Sequence, residues 1–344
     1  MSDTSAEPMT SGRPTILDVA RRCNLSKATV SKVLNLPEDR CPLAEPTRQR
    51  VFTAVEELGY RPSWQGRALA NRRTGMIAVV NADPYGALPR GQYWGMVEDF
   101  DALLANAGLV PVFIHTYAGN PRAIGMLADQ RFDGCISLDA QPPEVLAQLR
   151  RSGTPTVMIN ADVDSSWTSL VFDDQCGTEL LMQHLIELGH RRIAYNAGRR
   201  VVHHSSATVR AATYARCMHE AGLEPCEPFI GPVTDFVELA VHGPYRPTAI
   251  LDFEHWTAIR VLQQLWRLGL RVPTDMSVVT FNETYPVDLV IPPLTVAALP
   301  VKDVSRRSVQ LLEELIENPK LPPQVEVIDQ HLVVRESAAA PRGA

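Results

Sequence analysis

Between residues 15 and 60, apolar side chains recur three times at the three- and four-residue spacing of a helix. In the first stretch Ile16, Val19 and Ala20 share a face. Thr15 stands where an N-cap hydroxyl accepts from the backbone of Asp18, whose carboxylate suits the positive helix end. Cys23-Asn24-Leu25 reads as a turn, because after glycine Asn best tolerates a left-handed backbone. Ser26 caps a second helix to Asn35 that buries Val30, Val33 and Leu34 and turns Lys27, Ala28, Thr29, Ser31 and Lys32 outward. A third, over 45–58, repeats the pattern through Val51, Ala54, Val55 and Leu58 and stops at Gly59.

A polar, basic linker at 61–73 separates this helical module from a different texture. From residue 76, strand-length apolar runs alternate with helix-length periodic segments: strands at 76–81, 110–115, 135–138 and 156–160, with a helix near 92–107. A second series has helices near 174–188, 209–221 and up to 268, strands at 192–196, 248–252 and 277–281, and a last strand-like run at 326–334. Alternation of this kind predicts βαβ units: an α/β fold of two doubly wound, Rossmann-like lobes with a ligand cleft at the carboxyl ends of the strands. The expected division is a disordered 1–12, a helix-turn-helix domain at 13–62, a linker at 63–73 and a core at 74–336. Within the core, 74–172 and 298–322 are assigned to the first lobe and 173–297 and 323–336 to the second, and 337–344 is expected to be a disordered tail.

Charge sharpens the division. The 344 residues carry a net charge of -6, yet 13–73 holds twelve Lys/Arg against six Asp/Glu. A basic head on an acidic body suits a polyanion-binding module, although solvated charge alone gives the same count. The polar start lacks an apolar leader and no run reaches the eighteen or so apolar residues of a membrane span, so a cytoplasmic, non-membrane protein is expected. Six well-separated cysteines, with no C-x-x-C pair and no zinc spacing, read as free thiols. There is no G-x-G, no lysine after a glycine, no H-E-x-x-H and no G-x-S-x-G. The expectation is a non-enzyme without cofactor or metal.

On periodicity alone the second helix fits either a recognition helix, whose short polar and basic outer face enters a major groove, or a generic bundle with solvated lysines. The strings TILDVARRCNLSKATVSKVLN, TRQRVFTAVEELGYRPS and GRALANRRTGMIAVV, followed by HLIELGHRRIAYNAG, RPTAILDF, GLRVPTDMSVVTF and IPPLT, resemble the LacI/GalR family of bacterial transcriptional regulators over nearly the whole chain. The resemblance implies a repressor. It places Lys27, Ala28 and Lys32 at base-reading positions and Ser26, Thr29, Ser31 and Asn35 at backbone-contacting or orienting ones. It also implies that the linker forms a hinge helix on DNA, with Leu69 as a minor-groove wedge. Gly66, where a stronger helix former is usual, weakens that helix by up to about 1 kcal/mol.

In the core, the resemblance implies a small-molecule effector, a sugar or related metabolite, held by Arg210 and Tyr214 in SSATVRAATY; taken alone, Arg210 equally fits a solvated helix face. Glu254 and Asn282 fall where the family lines its pocket, but this chain has Asp252-Phe-Glu254-His255-Trp256 where many relatives carry Asn-Asp, and with Asn282 for the usual Asp the ligand's hydrogen-bond polarity is expected to differ. Tyr85, Tyr93 and Trp94 follow the first strand, where they suit stacking on a ligand or core packing about equally. His203-His204 reads as a solvated pair near the cleft. The partners implied are a homodimer's second chain and a pseudo-palindromic double-stranded operator. No leucine-heptad tail follows the last strand-like run. Inducer and corepressor remain equal options. A phosphocarrier-dependent global regulator and a sugar-binding module without regulatory output are the alternatives.

Overall fold

The computed structural model describes residues 13–36, 40–62, 66, 68, 73–81, 94–116, 120–129, 131–161, 163–198 and 204–342, with Trp94 described by its backbone only. They divide into one unit ending at Gly75 and another beginning at Met76.

In the first unit Thr15 caps α1 (Ile16–Arg22), with its N–H and its hydroxyl both donating to Asp18 Oδ2, at 2.8 and 2.7 Å. The carboxylate thus draws the threonine hydroxyl as a donor, because an ionised acceptor makes the stronger bond. Asn24 makes the turn at φ 51°. Ser26 Oγ accepts the Thr29 N–H at 3.0 Å and starts α2 (Lys27–Asn35). The third helix, α3 (Glu45–Leu58), ends at Gly59 (φ 59°), where the Tyr60 N–H returns to the Val55 carbonyl at 3.0 Å, the bonding of a left-handed helix stop. Val19, Val30 and Val51 meet, fully buried, where the three helices converge.

The second unit holds two sheets. The first comprises β1 (Met76–Asn81), β2 (Val110–His115), β3 (Gly134–Leu138), β4 (Thr156–Ile159), β5 (Thr168–Phe172) and β10 (Val325–Ile328), all parallel, in the order β10-β5-β4-β3-β1-β2. Alternation sends Ile77 and Val79 to one face, against α4 (Trp94–Asn106) and α11 (Val301–Glu317). Ala78 and Val80 go to the other, against α5 (Pro121–Ala128) and α6 (Pro143–Ser152). Burial on both faces explains why the interior strands β1, β3 and β4 read as nearly continuous apolar runs. Gly134 is required on α11's side: a Cβ there would come within 2.8 Å of Leu312 Cδ1.

The second sheet runs β11-β9-β8-β7-β6, from β6 (Ile193–Asn196), β7 (Ala249–Asp252), β8 (Ser277–Phe281), β9 (Thr295–Ala298) and β11 (His331–Val333), which is antiparallel to β9. Its two faces pack on α7 (Asp174–Glu187) with α8 (Ser205–Glu220), and on α9 (Val233–His242) with α10 (His255–Arg267). The chain crosses between the sheets at 172–174, 298–301 and 328–331.

Two expectations fail here. The run at 326–334 is not one strand of the second lobe: β10 pairs with β5 in the first sheet and only β11 joins the second. The chain breaks between them because Gln330 turns inward, buried, its amide donating to the Asp173 carbonyl at 3.1 Å. The expected disordered tail is fixed over 337–342, where main-chain and side-chain partners outweigh its small-residue composition. Ser337 is fully buried; its Oγ donates to the Val278 carbonyl at 2.5 Å and accepts the Thr295 N–H at 2.8 Å. Further on, His190 Nε2 donates to the Ala339 carbonyl at 2.9 Å and Arg342 pairs with Asp275 at 2.9 Å.

Candidate nucleic-acid interface and inter-lobe cleft

Along α2 the residues expected to read bases, Lys27, Ala28 and Lys32, are exposed, whereas Val30 and Val33 anchor the opposite side. The four orienting residues form two intrahelical pairs. Ser26 and Thr29 share a hydroxyl–hydroxyl bond of 2.8 Å, and Asn35 Nδ2 donates to Ser31 Oγ at 3.1 Å. These bonds fix rotamers on a helix whose exposed face is short, polar and cationic. Arg22 pairs with Glu57 at 2.6 Å, joining α1 to α3, an exposed contact of small energetic weight. Leu69 lies outside the described residues.

In the second lobe, Arg210 on α8 reaches the carboxyl edge of the sheet, where Phe253 follows β7 and Phe281 ends β8. Its guanidinium carbon lies 3.8 Å from the Phe281 ring centre and 4.8 Å from that of Phe253. Nε and Nη2 both donate to Asp174 Oδ1, at 2.8 and 2.7 Å, and Nη1 to the Phe253 carbonyl at 2.7 Å. The arginine is therefore a buried, ion-paired part of the cleft wall, with Nε and Nη2 engaged by Asp174 and Nη1 by the Phe253 carbonyl instead of by a ligand. Gly177 on α7 makes room beside this pair, since a Cβ there would overlap the Gln330 side chain.

Tyr214 is a correction. It is fully buried, and its hydroxyl donates to the carbonyl of Ile193, the first residue of β6, at 2.8 Å while accepting the Cys226 N–H at 3.1 Å. The Arg210–Tyr214 spacing puts them one helical turn apart on one face, but that turn carries Tyr214 toward the amino end of the strands, away from the cleft.

Glu254 forms the N-cap of α10 and Asn282 follows β8 at φ 72°, so both stand at the same strand edge as Arg210. On either side of Glu254 in the chain stand two residues whose ionisation burial displaces. Asp252, fully buried at the end of β7, accepts from Asn196 Nδ2 at 2.7 Å, the Glu254 N–H at 3.2 Å and the Thr257 hydroxyl, and burial pushes its carboxyl up to about 7. His255 lies on the buried face of α10 with Ala258, Leu262 and Leu265. Neither ring nitrogen has a hydrogen-bond partner among the described residues, and burial drops its pKa to about 4.

The first lobe presents Asp139 and Asn160, both at positive φ beyond β3 and β4, with Asn160 Nδ2 donating to Asp139 Oδ1 at 3.2 Å. Beside them buried Gln141 accepts from the Thr116 hydroxyl at 2.7 Å. An Asn or Asp directly after a strand was the signal for this edge, because such positions demand a left-handed backbone. Tyr85, Tyr93 and His203 lie outside the described residues. His204 is not a solvated loop residue: it caps α8 and bonds to the Asn160 carbonyl. Among the described residues no helix is long and apolar enough to cross a membrane.

A capped helix-turn-helix joined in sequence to two doubly wound lobes defines a DNA-binding regulator with a ligand-binding core. Residues 15–63 match the sequence model of the lacI family of bacterial regulatory proteins, and 182–338 that of the periplasmic binding protein-like domain. The HTH-type transcriptional regulator CelR of Thermobifida fusca is 31% identical, over 94% of this chain and 98% of its own. The HTH-type transcriptional repressor PurR of Vibrio campbellii is 28% identical over the same shares. Among solved structures, a CelR–cellobiose complex superposes with a TM-score of 0.69 at 27% identity, covering 95% of this chain and 100% of that one. A lac repressor dimer bound to operator and an anti-inducer shares the fold, with a TM-score of 0.80 at 24% identity, covering 96% and 100%. The chain belongs to the lacI family of bacterial transcriptional regulators.

Proposed function

We propose that the chain is a non-enzymatic, cytoplasmic repressor that binds a pseudo-palindromic operator as a homodimer and releases or tightens it when a sugar or related metabolite binds between the lobes. The observation that carries the DNA half is the exposed Lys27-Ala28-Lys32 face of a helix capped by Ser26. Lys27 and Lys32 read base edges and Ala28 permits close approach. Ser26, Thr29, Ser31 and Asn35 orient the helix on phosphates, and Leu69 wedges into the minor groove.

For the sensor half, Glu254 and Asn282 supply hydrogen bonds to the ligand, and Tyr85 and Trp94 supply apolar surface. Arg210 contributes as a wall paired with Asp174. The cellobiose named for the CelR complex makes β-linked glucosides the first ligands to try. In vitro selection from random duplex DNA with purified protein, followed by a thermal-shift screen of sugars, sugar phosphates and nucleosides, tests both halves. Enrichment of a two-fold-symmetric motif is the expected result; failure to enrich any motif overturns the DNA reading.

A further inference from the structure

His204 stands immediately before α8, in the second lobe, and its Nε2 lies 2.7 Å from the backbone carbonyl oxygen of Asn160, in the first. A carbonyl can only accept, so Nε2 carries the hydrogen. The other nitrogen faces donors: Nδ1 receives the Ser206 N–H at 3.2 Å and the Ser206 hydroxyl at 2.5 Å, which is the cap of α8. One neutral tautomer satisfies all three bonds. The acceptor is itself held, because the Asn160 side chain bonds to Asp139 and ties together the carboxyl ends of β3 and β4. Beyond the cap, α8 delivers Arg210 to Asp174, and the Gln330 amide in a crossing segment lies 3.5 Å from the same carboxylate oxygen. Contacts therefore run without a break from the first lobe's strand ends, through His204, to a segment where the chain changes lobes.

We propose that His204 is a positioning residue of the cleft. Its Nε2–H holds the lobes closed, while its Nδ1 independently caps α8. The regulatory consequence rests on the reading that the effector binds between the lobes: a ligand requiring the closed arrangement binds more tightly when this bond is made.

Two amides separate the two jobs. Asn is a good helix cap but too short to span to Asn160, whereas the longer Gln carries an N–H to the position of Nε2 and caps poorly. The lobe separation is read by electron–electron double resonance between encoded spin-labelled residues at exposed Arg122 and Gln263, in full-length protein diluted into unlabelled chain. Hydrogen exchange across 204–210 reads the cap. His204→Asn is expected to cut the closed fraction relative to the open by about fivefold while keeping α8 protected. His204→Gln is expected to keep the closed distance while α8 exchanges faster. An unchanged distance in both His204→Asn and His204→Ala, or equal distances in the Asn and Gln variants with an opened cleft in each, overturns the proposal. Neither operator nor effector is present, so either result leaves the regulator reading standing.

Discussion

Asp252 and His255 are three residues apart, both buried, and their ionisation equilibria are displaced in opposite senses with opposite effects on stability. Burial holds His255 neutral, its pKa falling from 6.5 to about 4. Between those values the unfolded chain binds the proton that the folded one refuses, so this residue makes the fold less stable as pH falls through the window. Asp252 moves from 3.8 up to about 7. Over that range the folded chain holds the proton, so acidification adds stability and rising pH removes it. Each pKa unit is worth about 1.4 kcal/mol. Going from about pH 6.5 to about pH 5, His255 costs about 2 kcal/mol and Asp252 returns about 2 kcal/mol, so the pair is nearly silent in the native protein.

Removing one member exposes the other. His255→Leu, which also deletes two ring nitrogens without a hydrogen-bond partner among the described residues, is expected to gain about 2 kcal/mol relative to the native chain over that pH interval. Asp252→Asn is expected to lose about as much. Urea unfolding followed by tryptophan fluorescence, at fixed protein concentration and several pH values, gives the differences, and the other carboxylates cancel because all three proteins share them. Native and His255→Leu stabilities that run parallel from about pH 6.5 to about pH 5 would refute the reasoning.

The remaining predictions concern the head, the cleft wall and the tail. Lys32→Ala is expected to weaken binding to a selected operator by about 1–3 kcal/mol and to relax preference at one base pair, read by fluorescence anisotropy over single-base variants; a uniform loss across all variants would make Lys32 a phosphate contact. Arg210→Met leaves the Asp174 carboxylate buried without its partner, so about 3–5 kcal/mol of stability should go, and most should return when Asp174→Leu is added, measured by denaturant titration of the single and double variants. Ending the chain after Glu336 strips His190, Thr295 and Val278 of their partners in the tail and is expected to lower Tm at constant operator preference, by calorimetry and a parallel selection.

How far each part was legible follows from how local its causes are. The head was readable because its determinants sit within four residues of one another: Thr15 with Asp18, Ser26 with Thr29, and valines at helical spacing. Strands such as β1, β4 and β7 were readable because burial on both faces makes a nearly continuous apolar run. β5 and β9 were not, because Thr168 and Ser169 open the one and Thr295 the other, and only the finished sheet buries them. In 325–333 two short apolar runs flank Asp329-Gln330-His331, but nothing local marks Gln330 as the residue that turns inward, since its partners Asp173 and Asp174 lie more than 150 positions away. Tyr214 failed for a related reason: spacing along a helix tells which face two residues share, but not toward which end of the sheet each of them points.

The cleft is the extreme case, because its walls are assembled from the ends of strands far apart in the chain and crossed between lobes three times. Even so, one local mark of it was available. Asp139, Asn160 and Asn282 each follow a strand and each adopt positive φ, as Asn24 does in the turn of the head. An Asn or Asp placed where a strand stops is a backbone requirement before it is a chemical one. At these three positions the requirement coincides with the edge where a ligand would be met. Burial supplies what no local mark could: the Asp174 carboxylate that occupies Arg210, and the dry surroundings that set Asp252 and His255 against each other.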